Sequence, residues 1–112
     1  MPVYYFLTIP KLPREVAHQS HLVTLVRYLV ADGETIRPGT EIAVVENWWA
    51  TMRIEATTGG LVSKTFFEPG TAIKVGDPIA IVLVDGEALP SGPRAAVRVV
   101  EMKRAPGSRG TA

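Results

Sequence analysis

The chain contains no cysteine, which excludes disulfide staples, a thiolate nucleophile and any cysteine-based zinc site, and fits a reducing compartment. Histidine is almost as scarce. His18 and His21 are the only two, and with Glu15 they are spaced three apart, a spacing that shares one face of a helix. Nothing in the pattern supplies further ligands of fixed position, so the segment reads as a solvated loop and no metal is expected. No apolar run approaches the roughly 20 residues of a membrane span. The opening run Val3–Ile9 has no basic segment ahead of it and is closed early by Pro10, unlike a signal peptide. The expectation is a soluble cytoplasmic protein without a membrane partner. The catalytic patterns are missing too: there is no Gly-x-Ser-x-Gly elbow, no P-loop and no Gly-x-Gly-x-x-Gly. The carboxylates scatter over turns without a pairing suited to acid–base work. An enzyme is not expected.

An excess of either charge is also lacking: 12 basic and 11 acidic residues leave +1 net over 112 residues. What there is divides unevenly. Residues 93–112 carry Arg94, Arg98, Lys103, Arg104 and Arg109 against Glu101, a balance of +4, leaving seven bases and ten acids, −3, in residues 1–92. A mildly acidic body gives no support to binding a phosphate backbone, so no nucleic-acid partner is expected, and the basic end reads as a solvated tail.

Long helical periodicity is missing as well. In its place are short segments rich in β-branched and aromatic residues, punctuated by glycine and proline. The segments Val3–Ile9, Leu22–Val30, Ile42–Val45, Met52–Ala56, Leu61–Phe67 and Ile79–Val84 read as strands, separated by turns at Asp32-Gly33, Arg37-Pro38-Gly39, Thr57-Thr58-Gly59-Gly60, Glu68-Pro69-Gly70 and Asp85-Gly86. Lys11–Ser20 reads as a loop with room for one helical turn. This spacing predicts an all-β sandwich or barrel occupying residues 1–86. Residues 87–112 form a C-terminal extension in which 95–102 has the composition of one more strand, followed by a basic flexible end.

An internal repeat refines the architecture. Residues 33–45 and 70–82 align at an unbroken offset of 37 with six identities in thirteen positions: Gly33/Gly70, Ile36/Ile73, Gly39/Gly76, Ile42/Ile79, Ala43/Ala80 and Val45/Val82. Glycine tolerates positive φ, so the repeated glycines are read as turn residues, with Ile36 and Ile73 plugging the core between them. Two copies are too few for a solenoid and suggest instead two small sheets related by a pseudo-two-fold axis.

The pattern Asp32-Gly33, Ile36, Gly39, Glu46, Ala50-Thr51-Met52, Ile54-Glu55-Ala56, Gly60, Gly70, Gly76, Ile79 resembles the lipoyl domains of 2-oxo acid dehydrogenase acyltransferase subunits and, more loosely, biotin-carrier domains. Ile9-Pro10-Lys11-Leu12 is similar to that family's opening strand. The resemblance covers residues 3–85. It implies a barrel-sandwich hybrid, a flattened barrel of two four-stranded sheets with a loading hairpin at one end. The family's hairpin tip reads Glu-Thr-Asp-Lys-Ala-Thr-Met, and its lysine carries the lipoyl or biotinyl group. Here the same stretch is Glu46-Asn47-Trp48-Trp49-Ala50-Thr51-Met52. Trp49 stands at the lysine position. Indole has no nucleophilic amine, so no cofactor is expected there, and none of Lys11, Lys64, Lys74 and Lys103 falls at the tip.

Successive residues of a strand face opposite ways, so Trp48 and Trp49 cannot both enter the core if the tip stays extended. An exposed pair would be an apolar patch of the kind that marks contacts. The other reading has one ring folded back to cap the core, and the two readings can hold together, one ring each. The candidate binding surface is Trp48 and Trp49 with Asn47, Glu46 and Arg53; Arg53 and Glu55 are expected to form a wet polar rim, and Gly33, Gly39, Gly60, Gly70 and Gly76 to serve as structural turns. The favoured expectation is a non-catalytic module that binds a protein partner, with a component of a lipoyl- or biotin-dependent complex as one candidate. The alternatives are a carrier modified elsewhere on the chain and a structural adaptor domain.

Overall fold

The computed structural model describes residues 2–17, 22–85 and 97–104. His18, His21, the expected turn at Gly86 and the expected flexible end lie outside them. Nine strands follow in order: β1 (Pro2–Thr8), β2 (Leu22–Tyr28), β3 (Thr35–Ile36), β4 (Glu41–Glu46), β5 (Ala50–Ala56), β6 (Gly60–Thr65), β7 (Ala72–Lys74), β8 (Pro78–Asp85) and β9 (Val97–Arg104). One helical turn, α1 (Arg14–Ala17), follows β1. The strands form two antiparallel sheets, β1-β8-β6-β3 and β7-β2-β4-β5-β9. The second sheet has five strands where four were expected, because β9 adds along the outer edge of β5 over seven paired residues.

With β9 set aside, the two sheets are the same sheet twice. Exchanging β1 with β5, β8 with β4, β6 with β2 and β3 with β7 turns one strand order into the other. The offset of 37 holds at the level of register. Leu25 lies opposite Val45 as Val62 lies opposite Val82, and Arg27 opposite Val44 as Lys64 opposite Ile81, with the same bulge between them. The turns are closed reciprocally. The Gly33 N–H donates to the Val62 carbonyl (2.7 Å), and the Gly70 N–H to the Leu25 carbonyl (2.7 Å). Gly33, Gly39, Gly70 and Gly76 all have φ near +90°, a conformation open to glycine at little cost.

Each strand turns alternate residues inward, and the two inner faces share one core. Leu7, Leu25, Ile36, Ile42, Val45, Met52, Ile54, Val62, Ile73, Ile79 and Val82 are among its buried members. Two tyrosines tie its rim to backbone. Tyr28 Oη donates to the Ile79 carbonyl (2.6 Å) and accepts from the Phe67 N–H (3.3 Å), while Tyr5 Oη donates to the Gly59 carbonyl (3.3 Å). Gly60 departs from its expected role. It opens β6 instead of making a turn, and a Cβ there would lie 2.5 Å from Cγ1 of both Val82 and Val84. Glycine is needed at this position for close strand packing.

Candidate functional site: the β4–β5 hairpin tip

β4 and β5 are paired through Glu46 and Thr51, and Asn47, Trp48 and Trp49 make the bend between them. Asn47 builds that bend. Its backbone N–H donates to the Ala50 carbonyl (2.9 Å). Its Oδ1 accepts from the N–H groups of both Trp49 and Ala50, each at 2.8 Å. A side-chain oxygen that takes two backbone donors in this way mimics a backbone turn, so the tip is clamped from inside.

The clamp separates the two indoles. Trp48 stands out from the tip, 60% exposed. Trp49 is half-buried and packs against the core cluster. The two residues thus occupy one outward and one inward position.

The remaining candidates take other places. Glu46 ends β4, across from Thr51 on one side and Thr24 of β2 on the other. Arg53 is directed away from the tip: its Nη1 forms an ion pair with Glu41 Oε2 (2.9 Å) at the far end of β4. Glu55 is not on a wet face. It is only 7% exposed and accepts a charge-assisted hydrogen bond from Nε of Arg98 on β9. Its burial follows from β9, which makes β5 an interior strand of the sheet.

One neighbour of the tip was not foreseen from sequence. β9 runs antiparallel to β5 and brings Lys103 opposite Thr51 and Arg104 opposite Ala50, so the basic end of β9 lies alongside the tryptophan bend and Lys103 is exposed there. The strand-like composition of 95–102 was the available signal, but composition does not say which edge a strand joins. Among the described residues no group of three or more histidine or acidic side chains is placed to hold a metal ion. No helix among them is long and apolar enough to cross a membrane.

Comparison with known proteins agrees with this geometry. Part of the chain is 41% identical over 66 residues to the pyruvate dehydrogenase E1 component subunit beta of Rhizobium meliloti (strain 1021), a match spanning 58% of this chain and 14% of that protein. It is 38% identical over 64 residues (56% of this chain, 14% of the relative) to the dihydrolipoyllysine-residue acetyltransferase component of pyruvate dehydrogenase complex from the same organism. The component of the same name from Rickettsia bellii (strain RML369-C) is 36% identical over 66 residues, 58% of this chain and 16% of the relative. The chain therefore spans a small fraction of the length of these relatives. The biotin/lipoyl family, described as "Biotin-requiring enzyme", matches residues 15–82, more than half of the chain and the stretch from α1 into β8. The duplicated sheets, the tip between β4 and β5 and this match together place the chain in the biotin/lipoyl domain family.

Proposed function

We propose that this chain is a biotin/lipoyl-fold module that acts by binding a protein and not by carrying a prosthetic group on its hairpin. The observation that carries this reading is the composition and posture of the tip. The bend of a carrier domain needs a lysine amine free to be acylated, and this bend holds Asn47, Trp48 and Trp49. Trp49 anchors the bend to the core, while Trp48 presents an indole to solvent at the apex. Tryptophan is enriched at the energetic centres of protein interfaces, where its large rigid surface is desolvated at small entropic cost. Lys103 beside it adds positive charge to the rim, which suits a partner with an apolar pocket bordered by acid. Components of pyruvate dehydrogenase-type complexes are the natural candidates, since the relatives belong to such assemblies and their enzymes handle this shape.

Two measurements test the reading. Trp48→Ala should reduce binding to a purified dehydrogenase-complex component at least tenfold with the melting temperature unchanged; equal binding by the variant would refute the role of the tip. The intact mass of the protein from its native host should equal that of the bare chain, with or without Met1. Added mass matching a lipoyl or biotinyl group would establish the carrier reading instead.

A further inference from the structure

The pseudo-two-fold axis maps β1 onto β5 at an offset of 47: Leu7 lies opposite Ala80 as Ile54 lies opposite Ala43, and Tyr5 opposite Val82 as Met52 opposite Val45. The outer edge of β5 is occupied by β9, antiparallel, with Met102 across from Met52. The equivalent outer edge of β1 has no strand partner among the described residues. We propose that this edge is completed by β1 of a second copy of the chain, antiparallel about a two-fold axis through Tyr5, joining two four-stranded sheets into one of eight strands.

Three observations favour a second copy. The first is charge. Sheet edges are normally guarded by shortness or by charged side chains. β3 and β7 are two and three residues long, and β9 carries Arg98, Glu101, Lys103 and Arg104. β1 is seven residues long and has no charged residue, so two copies meet without like-charge repulsion. The second is self-complementarity. A two-fold axis at Tyr5 sets Val3 against Leu7 and Tyr4 against Phe6 on both sides of a Tyr5–Tyr5 pair. Aromatic then meets aromatic on the outer face and aliphatic meets aliphatic on the inner face, the pairing that stabilises antiparallel strands. The third is exposure. Tyr4 is 59% exposed and Phe6 52%, and Phe6 lies against Phe66 with ring centroids 6.1 Å apart, so an aromatic surface borders the open edge.

Area sets the strength. Burying a whole aromatic side chain removes about 150–250 Å² from water. The exposed halves of four such rings amount to on the order of 400 Å², below the ~1,200 Å² of a standard stable interface. The dimer is therefore weak and depends on protein concentration.

Sedimentation equilibrium of the full chain from micromolar to millimolar concentration should show monomer passing to dimer. Monomer throughout would overturn the proposal. Tyr4→Lys should abolish the dimer with the circular dichroism spectrum intact, while Leu61→Lys, on β6 and two strands from the edge, should leave it. Loss of the dimer in both variants would mean that faces stack instead of edges pairing. Because the chain has no cysteine, register can be read independently. An oxidised equimolar mixture of Tyr4→Cys and Phe6→Cys chains should give the mixed disulfide well above its statistical share, and a statistical distribution would refute the stated register.

Discussion

Placing an amine at the hairpin tip is the most direct trial of how the bend is built and of whether it can take the place of a carrier tip. The double substitution Trp48→Asp/Trp49→Lys turns residues 46–52 into Glu-Asn-Asp-Lys-Ala-Thr-Met, one residue from the tip described for lipoyl domains. Two contributions to stability add. Trp48 is mostly exposed, and replacing such a side chain stays within about 0.5 kcal/mol. Trp49 is half-buried against the core. Truncating a fully buried tryptophan costs about 3–5 kcal/mol, and lysine retains part of the contact through its methylene stem, so about 1–2 kcal/mol is expected here. At roughly 2.1 cal/mol/K per residue the unfolding entropy is about 0.24 kcal/mol/K, and the melting temperature should fall by about 4–8 °C. The Asn47 clamp does not depend on either indole and should keep the bend in place. After incubation with a lipoate–protein ligase and its substrates, the double variant should gain one lipoyl group by intact mass spectrometry, mapped to position 49, and the wild type none. A folded double variant that remains unmodified, or a wild-type chain that becomes modified, would refute the placement of the tip.

Other outcomes follow from the same structure. Gly60→Ala forces a methyl to within 2.5 Å of two valines and should cost about 2–4 kcal/mol in a denaturant titration, whereas Gly39→Ala, with nothing within 4 Å, should cost about 1 kcal/mol from its positive φ alone; equal losses would contradict the close packing of β6 on β8. Asn47→Ala removes the acceptor of two tip N–H groups and should lower stability by about 1–2 kcal/mol, with amide exchange at Trp49 and Ala50 accelerated over that of β8. Arg98→Ala strips the buried Glu55 carboxylate of its partner. The guanidinium is largely in water, so about 1–2 kcal/mol is expected, and Glu55→Gln in the same chain should recover part of it. Burial raises the Tyr5 phenol from 10.0 to about 12. A raised folded-state value means that its contribution is fully present below pH 10 and is lost as pH climbs from 10 towards 12, so stability should fall less steeply across that window in Tyr5→Phe than in wild type.

Much of the shell was legible because the duplication was written in residues with backbone duties. Glycines and isoleucines at a fixed offset announced β3–β4 and β7–β8 as copies. The other two strand pairs were invisible: β2 and β6 share no identity at that offset. β1 and β5 superimpose in register, yet Tyr4-Tyr5-Phe6-Leu7 and Thr51-Met52-Arg53-Ile54 share no identity, since a strand asks only for inward apolar residues and leaves the outward ones free. β9 was visible as a strand but its position was not, because joining an edge is a tertiary choice. That choice explains why the alternation Met52, Arg53, Ile54, Glu55 misled: Glu55 occupies an outward position by period, and β9 then covers it. The division of the tryptophans needed the structure as well. Adjacent residues in a bend can project together or apart, and the decision lies with Asn47, whose side-chain oxygen holds the N–H groups of Trp49 and Ala50.

The reciprocal bonds between the duplicated turns bear on how such a chain arose. Each copy's first turn glycine gives its hydrogen to a carbonyl of the other copy, so half the chain alone would leave those groups to water and its apolar side bare. A half-length precursor would have had to fold as a swapped pair, with fusion supplying the link afterwards. A chain cut at the β4–β5 bend, within residues 47–49, separates β1–β4 from β5–β8 and so recreates that precursor, and its two pieces should be unstructured apart and regain the native shell when mixed.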